Sequence, residues 1–357
     1  MKFGVFLPNG TNGYILSTRS PQYPPTYEHN RAITVEAERQ GLEFALSMIK
    51  FRGFGGEGGY WDACLESFTL MAALARDTSS IYLFPSVGIL SMHPAVAARM
   101  VATIDDISGG RCGLNIVTGW NRPEYQQMGL WPGDQYYDQR YEYATEYLQI
   151  MKALWRDGRV SHHGAFFDLP DCRCLPTPRR EIAIVCAGSS PRGMRFTAEL
   201  GDHNFVTADR QRLKTIGTQL GTHAIEFGRS VGTYAQFVLI AAESDAQARR
   251  QADDIIAGAD LDAIRNVLSS ASLDTNPGGT SEALRTGMAR PVELGNIVFM
   301  GTPVILGSYE SCAQQIDELA RDTGVDGLLL SFPDFVGGIR NFGEKIMPIL
   351  ACREATA

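Results

Sequence analysis

Residues 105–141 read DDISGGRCGLNIVTGWNRPEYQQMGLWPGDQYYDQRY. Ser108-Gly109-Gly110 has the composition of a helix stop, because glycine enters the left-handed backbone of a helix C-terminus without steric cost. Arg111 to Val117 then alternates and has the length of a buried strand. Behind it come Asn115, Thr118, Gly119, Trp120, Asn121, Arg122, Glu124 and Tyr125, a crowd of amide, aromatic and acidic groups that no folding rule demands. A helix, a buried strand and polar side chains at the carboxyl end of that strand describe an α/β protein, where ligands gather at that end. The plainer reading is an ordinary polar βα loop. Trp120 and Trp131 argue against it, since the connection is too long and too aromatic for a linker.

Working outward, the same unit recurs. Strands are expected at Lys2 to Leu7, Glu43 to Ile49, Ile81 to Ser86, Arg111 to Val117, Ile182 to Cys186, His203 to Val206, Tyr234 to Ala241 and Asp326 to Phe332. Between them lie helical patterns long enough to cross back over a parallel sheet, the longest at Gln139 to Trp155. Eight strands alternating with helices give the α/β fold class and the count of a (β/α)8 TIM barrel with insertions. An open doubly wound sheet is the alternative and places eight strands less well. The expectation is a single barrel domain over residues 1–357 with an insertion around 258–305, which holds a helical Leu261 to Ala271 and a loose DTNPGGTSE. That excess reads as an active-site cover or an interface.

Composition narrows the function. A formal net charge of −8 and a pI near 5.3, with no basic run, argue against nucleic acid or an acidic membrane as partner. No apolar stretch reaches the length of a membrane span. Seven cysteines without a CxxC, an odd number, suit small buried hydrophobes in a reducing compartment, hence a cytoplasmic protein with no metal site. Leu70, Met71 and Leu74 look exposed on an outer helix and are the basis for expecting a homodimer or higher homo-oligomer, although they could equally face the barrel.

Three features could carry chemistry. Ala187 to Gly193 (AGSSPRG) ends a strand and opens a helix with Ser190 as cap and Pro191 in the first turn. Such a start binds a phosphate through free amide protons and the helix dipole, and Arg140 with Tyr141 could assist. Gly53 to Gly58 (GFGGEG) matches GxGxxG but sits in a loop that does not open a helix, so a tight turn is the better reading than a nicotinamide site. Finally, Asn115, Trp120, Glu124, Ser86 and Lys50 offer no strong nucleophile and no metal set, and His93 reads as a helix-start residue. Amides, hydroxyls and an indole make a pocket for a planar polar ring, whose hard chemistry would belong to a cofactor.

The stretches GVFLPNGTNGYILST, PQYPPTYEHN, EFALSMIKFRGFGG, SGGRCGLNIVTGWNRPEYQQMGLWPGDQYYDQRYEY and GLLLSFPDFVGGIRNFGEKIMPIL resemble the RutA pyrimidine oxygenase family, within the bacterial-luciferase-like flavin monooxygenases. The resemblance implies a (β/α)8 barrel and reduced FMN (FMNH2) delivered by a separate NAD(P)H:flavin reductase. It implies O2 as co-substrate and a flavin peroxide that opens or cleaves a small heterocyclic ring such as uracil or thymine. On the same basis Ile49, Lys50, Asn115, Glu124, Arg140, Tyr141 and Ser190 match flavin-binding positions. Leu46, Ser86, Asn115 and Trp120 match the pocket where oxygen, flavin and substrate meet. Departures from the family pattern fall at Ser86, where threonine is expected, at Pro85, Gly88, Ile89, Met92 and His93, at Thr207-Ala-Asp-Arg210, and over much of 275–305. The flavin half looks retained and the substrate half altered. The same chemistry on another heteroaromatic ring, as in riboflavin lyase or in dehalogenating and sulfone monooxygenases, therefore stays open, as does a flavin-binding relative without turnover.

Overall fold

A computed structural model describes residues 1–274, 281–282 and 297–353. Much of the expected insertion, including most of DTNPGGTSE, lies outside the described residues. In chain order the strands are β1 (Lys2–Leu7), β2 (Phe44–Ser47), β3 (Tyr82–Phe84), β4 (Ser86–Gly88), β5 (Leu114–Val117), β6 (Arg159–His163), β7 (Asp168–Arg173), β8 (Ile184–Ala187), β9 (His203–Val206), β10 (Gly232–Ala242), β11 (Val304–Ser308) and β12 (Gly327–Ser331). The helices are α1 (Tyr27–Arg39), α2 (Ser67–Asp77), α3 (Pro94–Ser108), α4 (Arg122–Gln126), α5 (Tyr136–Asp157), α6 (Pro191–Leu200), α7 (Arg210–Glu226), α8 (Asp245–Ala257), α9 (Leu261–Ala271), α10 (Tyr309–Thr323) and α11 (Phe335–Asn341).

The principal sheet is parallel and runs β3-β2-β1-β12-β10-β9-β8-β5-β4. β3 and β4 are two pieces of one strand broken at Pro85, whose carbonyl still accepts from the Asn115 amide. Counting them as one stave, eight staves close into a barrel, as the alternation of strand and helix predicts. β1 pairs with both β2 and β12, so the first and last strands seal it. Leu328, Leu329 and Leu330 of β12 are fully buried, as expected for a strand covered on both faces.

The amino-terminal half of the barrel is plugged by rings. Phe44 stacks on Tyr234 at 4.5 Å, Tyr234 on His203 at 4.1 Å, and Phe84 meets Phe44 edge-on. A side chain at Gly113 would lie 2.3 Å from Phe84, so glycine there is what admits the ring. With that end filled, the open end is the carboxyl one.

Helix starts follow their sequence signals. His93 caps α3, accepting from the Ala95 amide through Nδ1, and Pro94 follows in the first turn. Gly109 (φ 70°) closes the helix in the left-handed conformation read from the sequence. Ser190 caps α6 by accepting from the Gly193 amide.

Three findings depart from the sequence reading. An antiparallel hairpin, β6–β7, follows α5, its turn gathered by Glu146, which accepts from the amides of Ala165, Phe166 and Phe167 and bonds His162. The stretch before the last strand holds β11, paired with the outer half of β10, and then α10, so its second half is another β–α unit. Leu70, Met71 and Leu74 are buried against the barrel, because α2 turns its apolar face inward. They offer nothing to a partner subunit, which corrects the basis of the oligomer expectation.

Beside the main core, a second apolar cluster joins Ile15, Leu16, Phe54, Tyr60, Val238, Ile240, Ile255, Ile264, Val267, Leu268 and Phe299. It is built from the β1–α1 and β2–α2 loops, the outer half of β10, and α8 and α9. Asp260 clamps it, capping α9 at the Ala263 amide and accepting from Gly58. Gly56 (φ 81°) has no room for a side chain, since a Cβ would stand 2.4 Å from Asp260. The glycine-rich loop is thus a structural clasp, as its position in a long loop suggested.

Candidate active site

The carboxyl ends of the staves open into a cavity of about 240 Å3. Of the residues singled out from sequence, Ile49, Lys50, Ser86, Asn115, Trp120, Glu124, Arg140 and Tyr141 line it. Ser190 stands behind the wall, its hydroxyl 3.2 Å from the Tyr141 hydroxyl. Leu46 is fully buried in β2 and does not reach the cavity surface.

The cavity has three chemically distinct regions. The first is a buried polar chain at β4 and β5. Asn115 Nδ2 donates to Ser86 Oγ at 2.8 Å, Ser86 Oγ donates to the Ser47 carbonyl, and the Ser86 amide donates to Ser67 Oγ at 2.7 Å. Asn115 and Ser86 are register partners on neighbouring strands, so their side chains share a face. Asn115 Oδ1 is buried with no partner among the described residues. Buried amides are rarely left so, and such an atom calls for an explanation.

The second region is an ion pair set among rings. Lys50 Nζ lies 3.0 Å from Glu124 Oε2, and Glu124 Oε1 accepts from the Phe51 amide at 2.6 Å. Burial pulls the Lys50 ammonium below its ordinary range, and Glu124 opposes that shift. The ammonium is 4.5 Å from the Phe54 ring centroid and 5.7 Å from those of Trp61 and Trp120. Glu124 is positioned by a short helix, α4, where the sequence pattern indicates only loop.

The third region is an anion cradle. Arg140 and Tyr141 project from α5, the guanidinium 5.5 Å from the Tyr141 ring, and the Tyr141 hydroxyl reaches Ser190 at the start of α6. Gly188 and Gly193 make the space, since a Cβ at Gly193 would meet the Tyr141 hydroxyl at 2.6 Å. Arg140 Nη1 is paired with Asp274 Oδ2 at 3.1 Å, and Ser281 also donates to that carboxylate. Asp274 is a partner the sequence reading did not foresee. Arg140 Nε remains buried without a partner among the described residues. An unfilled guanidinium donor, a helix start and a phenol-hydroxyl pair suit a phosphate group.

Thr207, named in the sequence among the departures from the family pattern, also lines the cavity, whereas Phe6, Tyr14, Trp61, Phe205, Gln236 and Thr302 were missed. For Gln236 a signal existed, a lone amide in the otherwise apolar strand stretch YAQFVLIAA. Among the described residues no group of acidic, histidine or cysteine side chains could hold a metal ion. Nor is any helix long and apolar enough to cross a membrane.

Comparison with known proteins bears on the family and the fold. The luciferase-like monooxygenase family model matches residues 1–327. The pyrimidine monooxygenase RutA of Escherichia coli (strain SMS-3-5 / SECEC) is 47% identical over 357 residues, covering 99% of this chain and 97% of that protein. RutA of Klebsiella pneumoniae (strain 342) is 46% identical over 361 residues, covering 100% and 98%. Among solved structures, riboflavin lyase RcaE with modified FMN and riboflavin superposes with a TM-score of 0.84 at 20% identity, covering 98% of this chain and 91% of that one. The EDTA monooxygenase EmoA from Chelativorans sp. BNC1 gives 0.83 at 18%, covering 98% and 93%. At such identities the superpositions speak for the fold. The full-length sequence match carries the kinship, and the chain belongs to the luciferase-like monooxygenase family, together with the RutA pyrimidine monooxygenases.

Proposed function

We propose that the protein uses reduced FMN and O2 to oxygenate, and so open or cleave, a pyrimidine or closely related heterocycle. The observation that carries this reading is the juxtaposition in one cavity of an anion cradle with an unfilled Arg140 Nε and a buried amide, Asn115, with an unfilled oxygen. Both orphans are explained by a ligand with a phosphate at one end and a flat polar ring at the other. In this reading Arg140, Tyr141, Ser190 and the start of α6 hold the phosphate. Lys50 and Glu124, with Ile49, line the path between the two ends.

Bound reduced FMN supplies the electrons with which dioxygen is activated for transfer to the substrate ring. The chain's own residues do the rest. Asn115 Nδ2 keeps one hydrogen for Ser86 and presents the other, with Oδ1, to the reacting edge, so the amide both donates and accepts there. Ser86, anchored by the Ser47 carbonyl and the Ser67 hydroxyl, fixes the rotamer of that amide. Trp120 offers a flat apolar face to a ring, and Phe6, Tyr14 and Trp61 keep bulk water from the mouth. The GxGxxG match is a clasp held by Asp260 and opens no helix, and the reduced cofactor is expected from a separate NAD(P)H:flavin reductase, as the family resemblance implies.

The test is a coupled reaction of purified protein, FMN, a flavin reductase, NADH and uracil under isotopically labelled oxygen, with mass-spectrometric detection. A ring-opened product carrying label is expected. Oxygen uptake unchanged by uracil, thymine or any related ring would overturn the proposal. Steady NADH oxidation without added reductase would overturn the two-component part of it.

A further inference from the structure

We propose that Thr207 and Gln236 read a lactam edge, the O=C–N–H unit of a planar heterocycle, and so select and orient the substrate ring. The inference rests on the oxygenase reading above for its ring substrate. Around the barrel, the stave that carries Ser86 is the third and β10, which carries Gln236, is the seventh, so the two face each other across the mouth. The substrate ring has to lie between the polar chain on one wall and Gln236 on the other.

Thr207 follows β9 and donates through Oγ1 to Gln236 Oε1 at 3.0 Å. That bond fixes which end of the amide is free. Gln236 Nε2 keeps hydrogens that no described residue accepts, while Thr207 Oγ1 keeps lone pairs. A donor and an acceptor therefore stand side by side on the cavity wall. Their complement is one carbonyl and one N–H on adjacent ring atoms.

The surroundings fit a flat ring. Phe6 stacks on Tyr14 at 4.2 Å and meets Phe205 edge-on at 5.5 Å, giving an apolar flank beside the polar pair. Phe205 in β9 and Thr207 just beyond it both line the cavity. Gln236 is 6% exposed in a strand that is otherwise apolar from Tyr234 to Ala242. Its carbonyl is spent on Thr207, which leaves the amide nitrogen of this cavity-lining side chain for a ligand.

The test compares wild type with Thr207→Val, which removes the acceptor at constant shape, Gln236→Met, which removes the donor, and Thr207→Ser, which keeps the hydroxyl. Uracil, 1-methyluracil and 3-methyluracil are the probes. Their KM is measured in the reductase-coupled reaction and their Kd by calorimetry on FMN-loaded protein. Wild type should reject whichever methyl-uracil has its read N–H blocked. Thr207→Val and Gln236→Met should each weaken uracil binding about ten- to a hundredfold, with FMN affinity little changed. Thr207→Val should also take the blocked ring and uracil alike, a loss of discrimination that a merely structural contact would not produce. Thr207→Ser should restore it.

Uracil KM and Kd within about twofold of wild type in both Thr207→Val and Gln236→Met would overturn the inference, as would wild type binding none of the three rings. If wild type binds uracil with the expected edge selectivity but never consumes oxygen with it, the lactam reading stands and the proposed turnover falls.

Discussion

Replacing Asn115 by leucine separates chemistry from stability, because the structure assigns opposite signs to the two. Asn115 Oδ1 is buried without a partner among the described residues, a state that costs about 1–3 kcal/mol. Leucine deletes that cost at similar size. Against it stands the lost bond from Nδ2 to Ser86 Oγ, a net loss of about 1 kcal/mol. Ser86 is not orphaned by the change, since its hydroxyl still donates to the Ser47 carbonyl. Asn115→Leu should therefore be neutral to stabilising by about 1 kcal/mol, seen as an unchanged or slightly raised urea midpoint. A positioned amide facing developing charge on oxygen is worth about 3 kcal/mol, so product formation should fall about a hundredfold or more. FMN affinity, followed by flavin fluorescence, should hold because the Arg140, Tyr141 and Ser190 cradle is untouched, and oxygen uptake should continue without product. A variant destabilised by several kcal/mol, or one that fails only because FMN no longer binds, would show Asn115 to be a structural or anchoring amide. Near-normal turnover would remove it from the chemistry.

Glu124→Gln leaves the buried Lys50 ammonium without its counter-charge, and removing one partner of such a pair costs about 3–5 kcal/mol; thermal denaturation should show a large drop in Tm, partly recovered in Lys50→Met/Glu124→Gln. Gly193→Ala sits inside α6, where alanine favours the helix by about 1 kcal/mol, yet its methyl would press on the Tyr141 hydroxyl. A normal or raised Tm with weaker FMN binding is expected, and unchanged FMN affinity would argue against the cradle. Burial would raise the Glu38 carboxyl, but the amides of Ile81, Ser80 and Ser79 outweigh it and hold the group at about 2, below its ordinary 4.5. A depressed carboxylate stabilises above its unfolded pKa and loses that contribution as pH falls, so Glu38→Gln should flatten the loss of stability between about pH 4.5 and 2 in acid-denaturation curves.

Much of the barrel was legible because its elements carry local signals. β1, β9 and α9 were placed to the residue, with Pro8 ending β1 and Asp260 capping α9. β11 was not, since Val304–Ser308 is five residues long and holds a glycine, and only its partner, the outer half of β10, makes it a strand. The β6–β7 hairpin failed for a related reason: most of its residues are exposed or half-buried, so no apolar alternation marks them. In the site, Asn115, Glu124, Arg140 and Ser190 could be read because strand ends and helix starts announce themselves. The pairing of Arg140 with Asp274 spans 134 residues and follows no local rule. Gln236 could have been found, had a lone amide in an apolar strand been given the weight of a buried polar group.

The second apolar cluster bears on how such a protein can change its diet. β10 belongs to both cores: its inner half pairs with β9 and β12, and its outer half feeds Val238 and Ile240 into the cluster with α8 and α9. Gln236 sits two residues before Val238, where one core hands over to the other. The anion cradle is carried by α5 and α6, which contribute no side chain to that cluster. Repacking at Ile264, Val267 or Leu268 would be felt along β10 at the ring-binding wall, while the anion cradle would hardly register it. On the function proposed above, drift in the α8–α9 arm would reshape the ring-facing wall while leaving the anion cradle intact, a separation that would let one barrel serve many rings.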